Sequence, residues 1–356
     1  MAKVILTLPD GDTKIHTDTE RDVHFYSVRM EPFRIYGLYN PQDGKPFRRL
    51  PEEVAKATSE SVQKLNYNTA GGRVRFATDS EYIYVKTKTP YTYQLAFMSR
   101  VMLNGFDVFA DGAYAGSIKP PVDFKDGFEE VLEFKTKKMR CIEINFPLYG
   151  CLDELYIGLR PGAALKAGKE YSDKRRIVYY GSSITQGAFA CRPGNAYESI
   201  IARRLDCDYL NLGFSGSARA EDAMVYYIAG LDMDLFVCDY DHNAPDVEHL
   251  QNTHEKLYRA VRERHPGMPI LFVTKPDFDW DPTGNAYRRE VVYNTYIKAL
   301  REGDTHVAFV DGQSLFHGAD RECCTTDGCH PNDAGFVRMA DVIGEQIRRL
   351  LYGGNV

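Results

Sequence analysis

From Lys174 onward the hydrophobic pattern changes period, and this change limits the fold more than any other feature of the chain. Short apolar runs at 176–180, 208–212, 234–239, 269–274 and 306–310 alternate with amphipathic stretches at 196–205, 221–229, 247–264, 287–301 and 332–350. Apolar strands separated by helical crossovers are the pattern of a parallel sheet covered on both faces. The spacing predicts an α/β domain over 174–356, with a doubly wound, mostly parallel sheet in a flavodoxin-like three-layer arrangement. Upstream the period is that of strands. Segments 23–28, 73–77, 82–87, 106–110, 129–134, 142–146 and 155–159 alternate or are rich in β-branched and aromatic residues. Turn signals such as Ala70-Gly71-Gly72, Asp111-Gly112 and Asp126-Gly127 separate them. This predicts an all-β, jelly-roll-like sandwich over 1–165, interrupted by one helical stretch at 52–64. Pro161, Gly162 and Gly168 mark the linker between the two domains.

A chain of 356 residues is long for one core and suits two domains. The net charge of -6, without a run of Lys or Arg, gives no expectation of a nucleic-acid partner. No segment approaches a membrane span. The Met1–Asp10 stretch has one positive charge and too short an apolar run for a signal peptide, so a cytoplasmic location is expected. The eight cysteines include no C-x-x-C pair, as expected of reduced thiols. Cys323, Cys324, Cys329 and His330 raise a zinc site. The adjacent cysteines make poor joint ligands, and an Asp-x-x-His reading competes for His330, so neither metal nor cofactor is expected.

Four polar segments fall at the carboxyl ends of the expected parallel strands, where an open sheet binds its ligands. They are Gly181-Ser182-Ser183, Asn211-Leu212-Gly213-Phe214-Ser215-Gly216, Tyr240-Asp241-His242-Asn243-Ala244, and a late loop with Asp327 and His330. A serine hydroxyl becomes a nucleophile at neutral pH only beside a base, and a third group fixes the tautomer of that base. Ser183, His330 and Asp327 supply the three parts. Ser182 is an adjacent second hydroxyl, and Ser183 has an alternative reading as a helix cap.

These residues resemble the SGNH hydrolase superfamily, also called GDSL esterases. Gly181-Ser182-Ser183-Ile184-Thr185 is similar to its first block, which implies Ser183 as nucleophile. The second block implies Gly216 and the third implies Asn243 as oxyanion donors, together with the Ser183 N–H. Asp327-x-x-His330-Pro331 is similar to the last block, implying His330 as base and Asp327 as its orienting acid. The blocks occur in the family's order between Ile177 and about Leu350. Two positions depart from the pattern. Ser182 stands where the family has Asp, and the third block reads Asp-His-Asn-Ala instead of Gly-x-Asn-Asp. The chain is similar to a subgroup with Gly-Ser-Ser-Ile-Thr-Gln-Gly and an N-terminal β-sandwich.

The resemblance implies a serine esterase acting on small acyl esters, acetyl foremost, of a carbohydrate or other acylated small molecule. Transfer of the acyl group to another alcohol, and a non-catalytic carbohydrate-binding role, are the alternatives. Trp280 opens at the expected rim and suits stacking on a sugar, or packs over its own loop. His242 reads as structural or substrate-facing, and Tyr149 as a contribution of the sandwich to the cleft. Tyr91 and Tyr93 have the same two readings, sugar contact or ordinary sandwich tyrosines. Self-association is left open by the sequence.

Overall fold

The computed structural model describes residues 4–7, 13–16, 21–92, 94–276 and 278–353. Tyr93, Asp277 and most of the N-terminal decapeptide lie outside the described residues. The chain divides into two units. The first comprises 1–49, 67–171 and 192–194, and the second 50–66, 172–191 and 195–356.

Two mainly antiparallel sheets form the first unit. In one, Thr13–His16, Val4–Thr7, Val23–Ser27, Glu154–Leu159, Tyr82–Lys88 and Glu129–Glu133 lie side by side in that order. In the other the order is Leu165–Ala167, Arg73–Thr78, Arg140–Asn145, Phe106–Ala110 and Ala113–Ile118, with Arg34–Tyr36 also on Arg73–Thr78. Val23–Ser27 and Tyr82–Lys88 alternate buried and half-buried residues, the period of a strand with one face in a core. Val74, Phe76, Val108, Ile142 and Ile144 from one sheet share a core with Ile83, Val85, Leu155 and Ile157 from the other. The unit is therefore a β-sandwich.

The second unit is built on five parallel strands, in the order Asp208–Gly213, Arg176–Gly181, Leu235–Asp239, Ile270–Val273 and Val307–Val310. Chain order reverses at the first strand, which creates a switch point beside its carboxyl end. Register makes that edge flush, because Gly181 pairs with Gly213 on one side and Asp239 on the other. Consecutive residues of the first strand serve opposite layers. Val178 and Tyr180 join the core under the helices Asp222–Ala229 and Val247–Arg264. Tyr179 packs edge-on against Tyr197 of the helix Tyr197–Leu205, which contacts the last helix, Asp333–Tyr352.

Three features differ from expectation. The helical stretch at 52–64 is two helices, Glu52–Thr58 and Glu60–Leu65, broken at Ser59, whose hydroxyl caps the second. Both group with the second unit, and Leu50, Ala55 and Val62 are buried beside Val225 and Ile228. The helix expected at 287–301 begins five residues earlier. Asp281 caps it and Pro282 sits in its first turn, where the missing N–H costs nothing. Among the described residues no helix is long and apolar enough to cross a membrane, and none of the eight cysteines is in a disulfide.

A tripeptide from the segment after the first parallel strand belongs to the first unit. Asp107, fully buried, accepts hydrogen bonds from Arg192 Nη1 at 2.6 Å, the Gly194 N–H at 2.8 Å and Asn145 Nδ2 at 2.8 Å. The Arg192 guanidinium also lies 4.0 Å from the Tyr114 ring centre. Removing one member of a buried ion pair strands the donors around it. Asp107→Ala is expected to lower unfolding free energy by about 3 kcal/mol in urea titrations, and an unchanged midpoint would contradict this anchoring.

Candidate active site

The first parallel strand, Arg176–Gly181, runs into a four-residue helix, Ser183–Gln186. Ser182 is its N-cap, and the Ser182 hydroxyl accepts the Ile184 N–H at 3.1 Å. Ser183 is the first helical residue, and its Oγ lies 2.8 Å from His330 Nε2. Of the two adjacent hydroxyls, that of Ser183 meets an imidazole and that of Ser182 serves the backbone. The helix is tied down from three sides. Thr185 Oγ1 donates to Asp239 Oδ2 at 3.1 Å, Asn211 Nδ2 donates to the Thr185 carbonyl at 2.6 Å, and Gln186 Oε1 accepts the Ser215 N–H at 3.0 Å. Burial and nearby Asp241 push the Asp239 carboxyl well above the usual carboxylate range, which the Tyr197 and Thr185 hydroxyls only partly offset.

His330 arrives from the loop before the last helix. Its Nδ1 is 2.8 Å from Asp327 Oδ2, so an Nδ1–H donated there leaves the Nε2 lone pair facing Ser183. Asp327 Oδ1 accepts the N–H groups of His330 at 2.7 Å and Cys329 at 3.0 Å. Partial burial raises the Asp327 carboxyl, but the His330 backbone and ring and the Cys329 N–H outweigh this and hold it below its ordinary value. Asn332 anchors the loop. Its side chain donates to the Cys323 carbonyl at 2.7 Å and caps the last helix through the Ala334 and Gly335 N–H groups.

The oxyanion candidates lie on the two neighbouring strand ends. Gly216 has φ +69°, a left-handed conformation that favours glycine, in the turn closed by Ser217 N–H to the Phe214 carbonyl at 2.8 Å. Asn243 ends the short 3₁₀ turn Asp241–Asn243, and its Oδ1 accepts the Ala218 N–H at 3.4 Å. That bond orients the carboxamide and leaves its NH₂ for another acceptor.

His242 is half-buried, with Nε2 3.3 Å from Cys329 Sγ. Burial, with Lys275 and His330 adding to it, pushes its imidazole down to about 3, so the ring is neutral at physiological pH. Trp280 is 66% exposed at the end of the turn Phe278–Trp280. Tyr149 is buried in the first unit, its carbonyl accepting from Asn68 Nδ2 at 2.6 Å. Tyr91 is exposed in the same unit. Among the described residues no group of three or more His, Cys, Asp or Glu is placed to hold a metal ion.

Two contributors carried no sequence signal. Phe189 stacks on the His330 ring, with centres 5.1 Å apart and planes at 29°, and holds φ +70°, where a bulky residue is strained. Arg288, on the helix Pro282–Arg301, donates to the carbonyls of Asp241 at 2.7 Å and Ala244 at 2.9 Å, bracketing Asn243.

The separation of the two serines has a direct test. Ser182→Ala is expected to cost about 1 kcal/mol of stability through the lost cap while still reacting with a fluorophosphonate probe. Ser183→Ala is expected to abolish labelling with little change in stability. Labelling that survives in Ser183→Ala would place the reactive hydroxyl elsewhere.

Known proteins resemble the chain over most of its length. Residues 174–348 match the GDSL-like lipase/acylhydrolase family, and residues 23–165 match the N-terminus of SGNH-hydrolase-type esterases (GxDLY). No curated protein is significantly similar to the chain. Among solved structures, a GDSL-like lipase from Bacteroides ovatus ATCC 8483 superposes with a TM-score of 0.83 at 28% identity, over 93% of this chain and 98% of that one. The salicylyl-acyltransferase SsfX3 of a tetracycline biosynthetic pathway gives 0.78 at 21% identity, over 94% and 99%. An acetyl xylan esterase, Est2A, from the rumen bacterium Butyrivibrio proteoclasticus gives 0.62 at 13% identity, over 94% and 100%. The chain belongs to the GDSL-like lipase/acylhydrolase family of SGNH hydrolases, carrying that family's domain over 174–348 and an SGNH-esterase N-terminal domain over 23–165.

Proposed function

We propose that this hydrolase is a serine esterase that removes small acyl groups, acetyl foremost, from carbohydrate. The observation that carries the proposal is the unbroken line from Ser183 Oγ to His330 Nε2 and from His330 Nδ1 to Asp327, each contact 2.8 Å. In this reading Ser183 Oγ attacks the ester carbonyl carbon while its proton passes to His330 Nε2. Asp327 stays ionised and stabilises the imidazolium, consistent with its lowered carboxyl. The carbonyl oxygen becomes an oxyanion, met by the N–H groups of Ser183 and Gly216 and the Asn243 amide. As the C–O bond to the sugar breaks, His330 returns the proton to the leaving alcohol and an acyl-Ser183 ester remains. Water, deprotonated by His330, then attacks that ester, and His330 returns the proton to the departing Ser183 Oγ as the carboxylic acid is released.

The fold likeness to an acetyl xylan esterase supports the acetyl and carbohydrate parts. Transfer of the acyl group to an alcohol other than water is the second reading, favoured by the likeness to a salicylyl-acyltransferase. Both use the same first half-reaction and differ in what resolves the acyl-enzyme.

Wild-type protein is expected to release acetate from acetylated xylo-oligosaccharides and aryl acetates. Asn243→Ala should lower kcat about 10²- to 10³-fold, the usual worth of one oxyanion donor. Adding a competing alcohol separates the readings: undiminished acetate supports hydrolysis, and an acetylated alcohol formed in its place supports transfer. Activity unchanged in Asn243→Ala would contradict the oxyanion assignment.

A further inference from the structure

Beside the loop that carries Asp327 and His330 lies a cleft of about 600 Å³, lined chiefly by Asp279, Trp280, Phe316, Arg321, Thr325 and Thr326. We propose that this cleft is the subsite for a neutral pyranose ring of the substrate, with Trp280 as its stacking platform. The proposal rests on the esterase reading above and adds to it where the sugar is held.

Four observations carry it. The indole is exposed, although a ring of this size usually buries most of its surface. It is fixed in place. Gly328 holds φ +81°, and a Cβ built there would collide with Trp280 Cε3 and Cζ3, so the indole lies against the backbone between Asp327 and His330. A ring stacked on Trp280 is thereby held next to the acid–base loop. The lining combines two aromatic rings with hydroxyls and carboxylates, which suits a ligand with an apolar face and a hydroxylated rim. A fatty acyl chain would desolvate Thr325, Thr326, Glu322 and Asp279 while offering them no hydrogen bond in return. The charge pattern excludes an anion as the preferred ligand. Arg321 is engaged by Asp279 Oδ2 at 3.0 Å and by the carbonyls of Gln313 and Phe316, each at 3.0 Å, and Glu322 adds a further negative charge. A neutral polyol fits these constraints.

The chain contains a single tryptophan, so emission excited at the red edge, beyond tyrosine absorption, reports on this residue alone. Ser183→Ala protein is titrated with unacetylated xylotetraose, cellotetraose and mannotetraose, and separately with sodium decanoate. A saturable change in emission with at least one tetrasaccharide, and none with decanoate, is the expected result. In the wild-type background, Trp280→Ala should raise KM for the matching acetylated oligosaccharide about tenfold more than it raises KM for an aryl acetate, the worth of one stacked ring. Emission that responds to decanoate and not to sugars overturns the proposal in favour of an acyl-chain cleft. Emission unmoved by every sugar, in a protein that still deacetylates oligosaccharides, overturns the subsite and leaves the esterase reading intact. Sugar-dependent emission without any esterase activity sustains the subsite and removes the esterase reading.

Discussion

The helix that begins at Ser183 exists because two strand ends carry no side chain. A Cβ at Gly181 would overlap Thr185 Oγ1 and the Asp239 carbonyl, and one at Gly213 would overlap the backbone of Thr185 and Gln186. These two glycines pair in register at the flush edge of the parallel sheet, beside the switch point. Their bareness lets the helix sit directly on the sheet edge, so that Ser183 is only 6% exposed yet its hydroxyl reaches an imidazole from another loop. Larger residues at either position would lift the helix and lengthen the 2.8 Å contact on which the proposed chemistry depends.

Around that constraint the polar groups divide into those that hold and those that react. Ser182, Asn211, Thr185 and Asp239 spend their hydrogen bonds on backbone, on one another or, for Asp239, on the Tyr197 hydroxyl. Their role is to keep the Ser183 rotamer and the strand ends fixed, so that little reorganisation is needed when charge develops. The imidazole is held on three sides: Asp327 at Nδ1, the Ser183 hydroxyl at Nε2, and the Phe189 ring across its face. The strained backbone at Phe189 is consistent with a ring whose place is set by its contact and not by local preference.

The sequence made the parallel domain and its four polar loops readable, because each loop is a short contiguous segment at a strand end. Ser183, His330 and Asp327 could be named from spacing and resemblance, and the structure brings them into hydrogen-bond contact. What escaped depends on contacts distant in sequence. Helices 52–65 look like an interruption of the sandwich, and only the packing of Leu50 and Val62 against Val225 and Ile228 reveals their allegiance. Arg288 is an ordinary surface-type residue in its helix until it meets the carbonyls flanking Asn243. Ala113–Ile118, half of it exposed and rich in small residues, gives no apolar alternation, and Leu165–Ala167 is too short to show a period.

The proposed chemistry turns on Ser183 carrying the acyl group during turnover. The most direct measurement mixes the enzyme with an aryl acetate, quenches it in acid within the first turnovers, and maps the acetylated peptide by mass spectrometry. One acetyl group on Ser183, appearing in a burst and decaying as acetate is released, is the expected result. Acetyl found on Ser182 or Cys329, or turnover without any covalent intermediate, would contradict it.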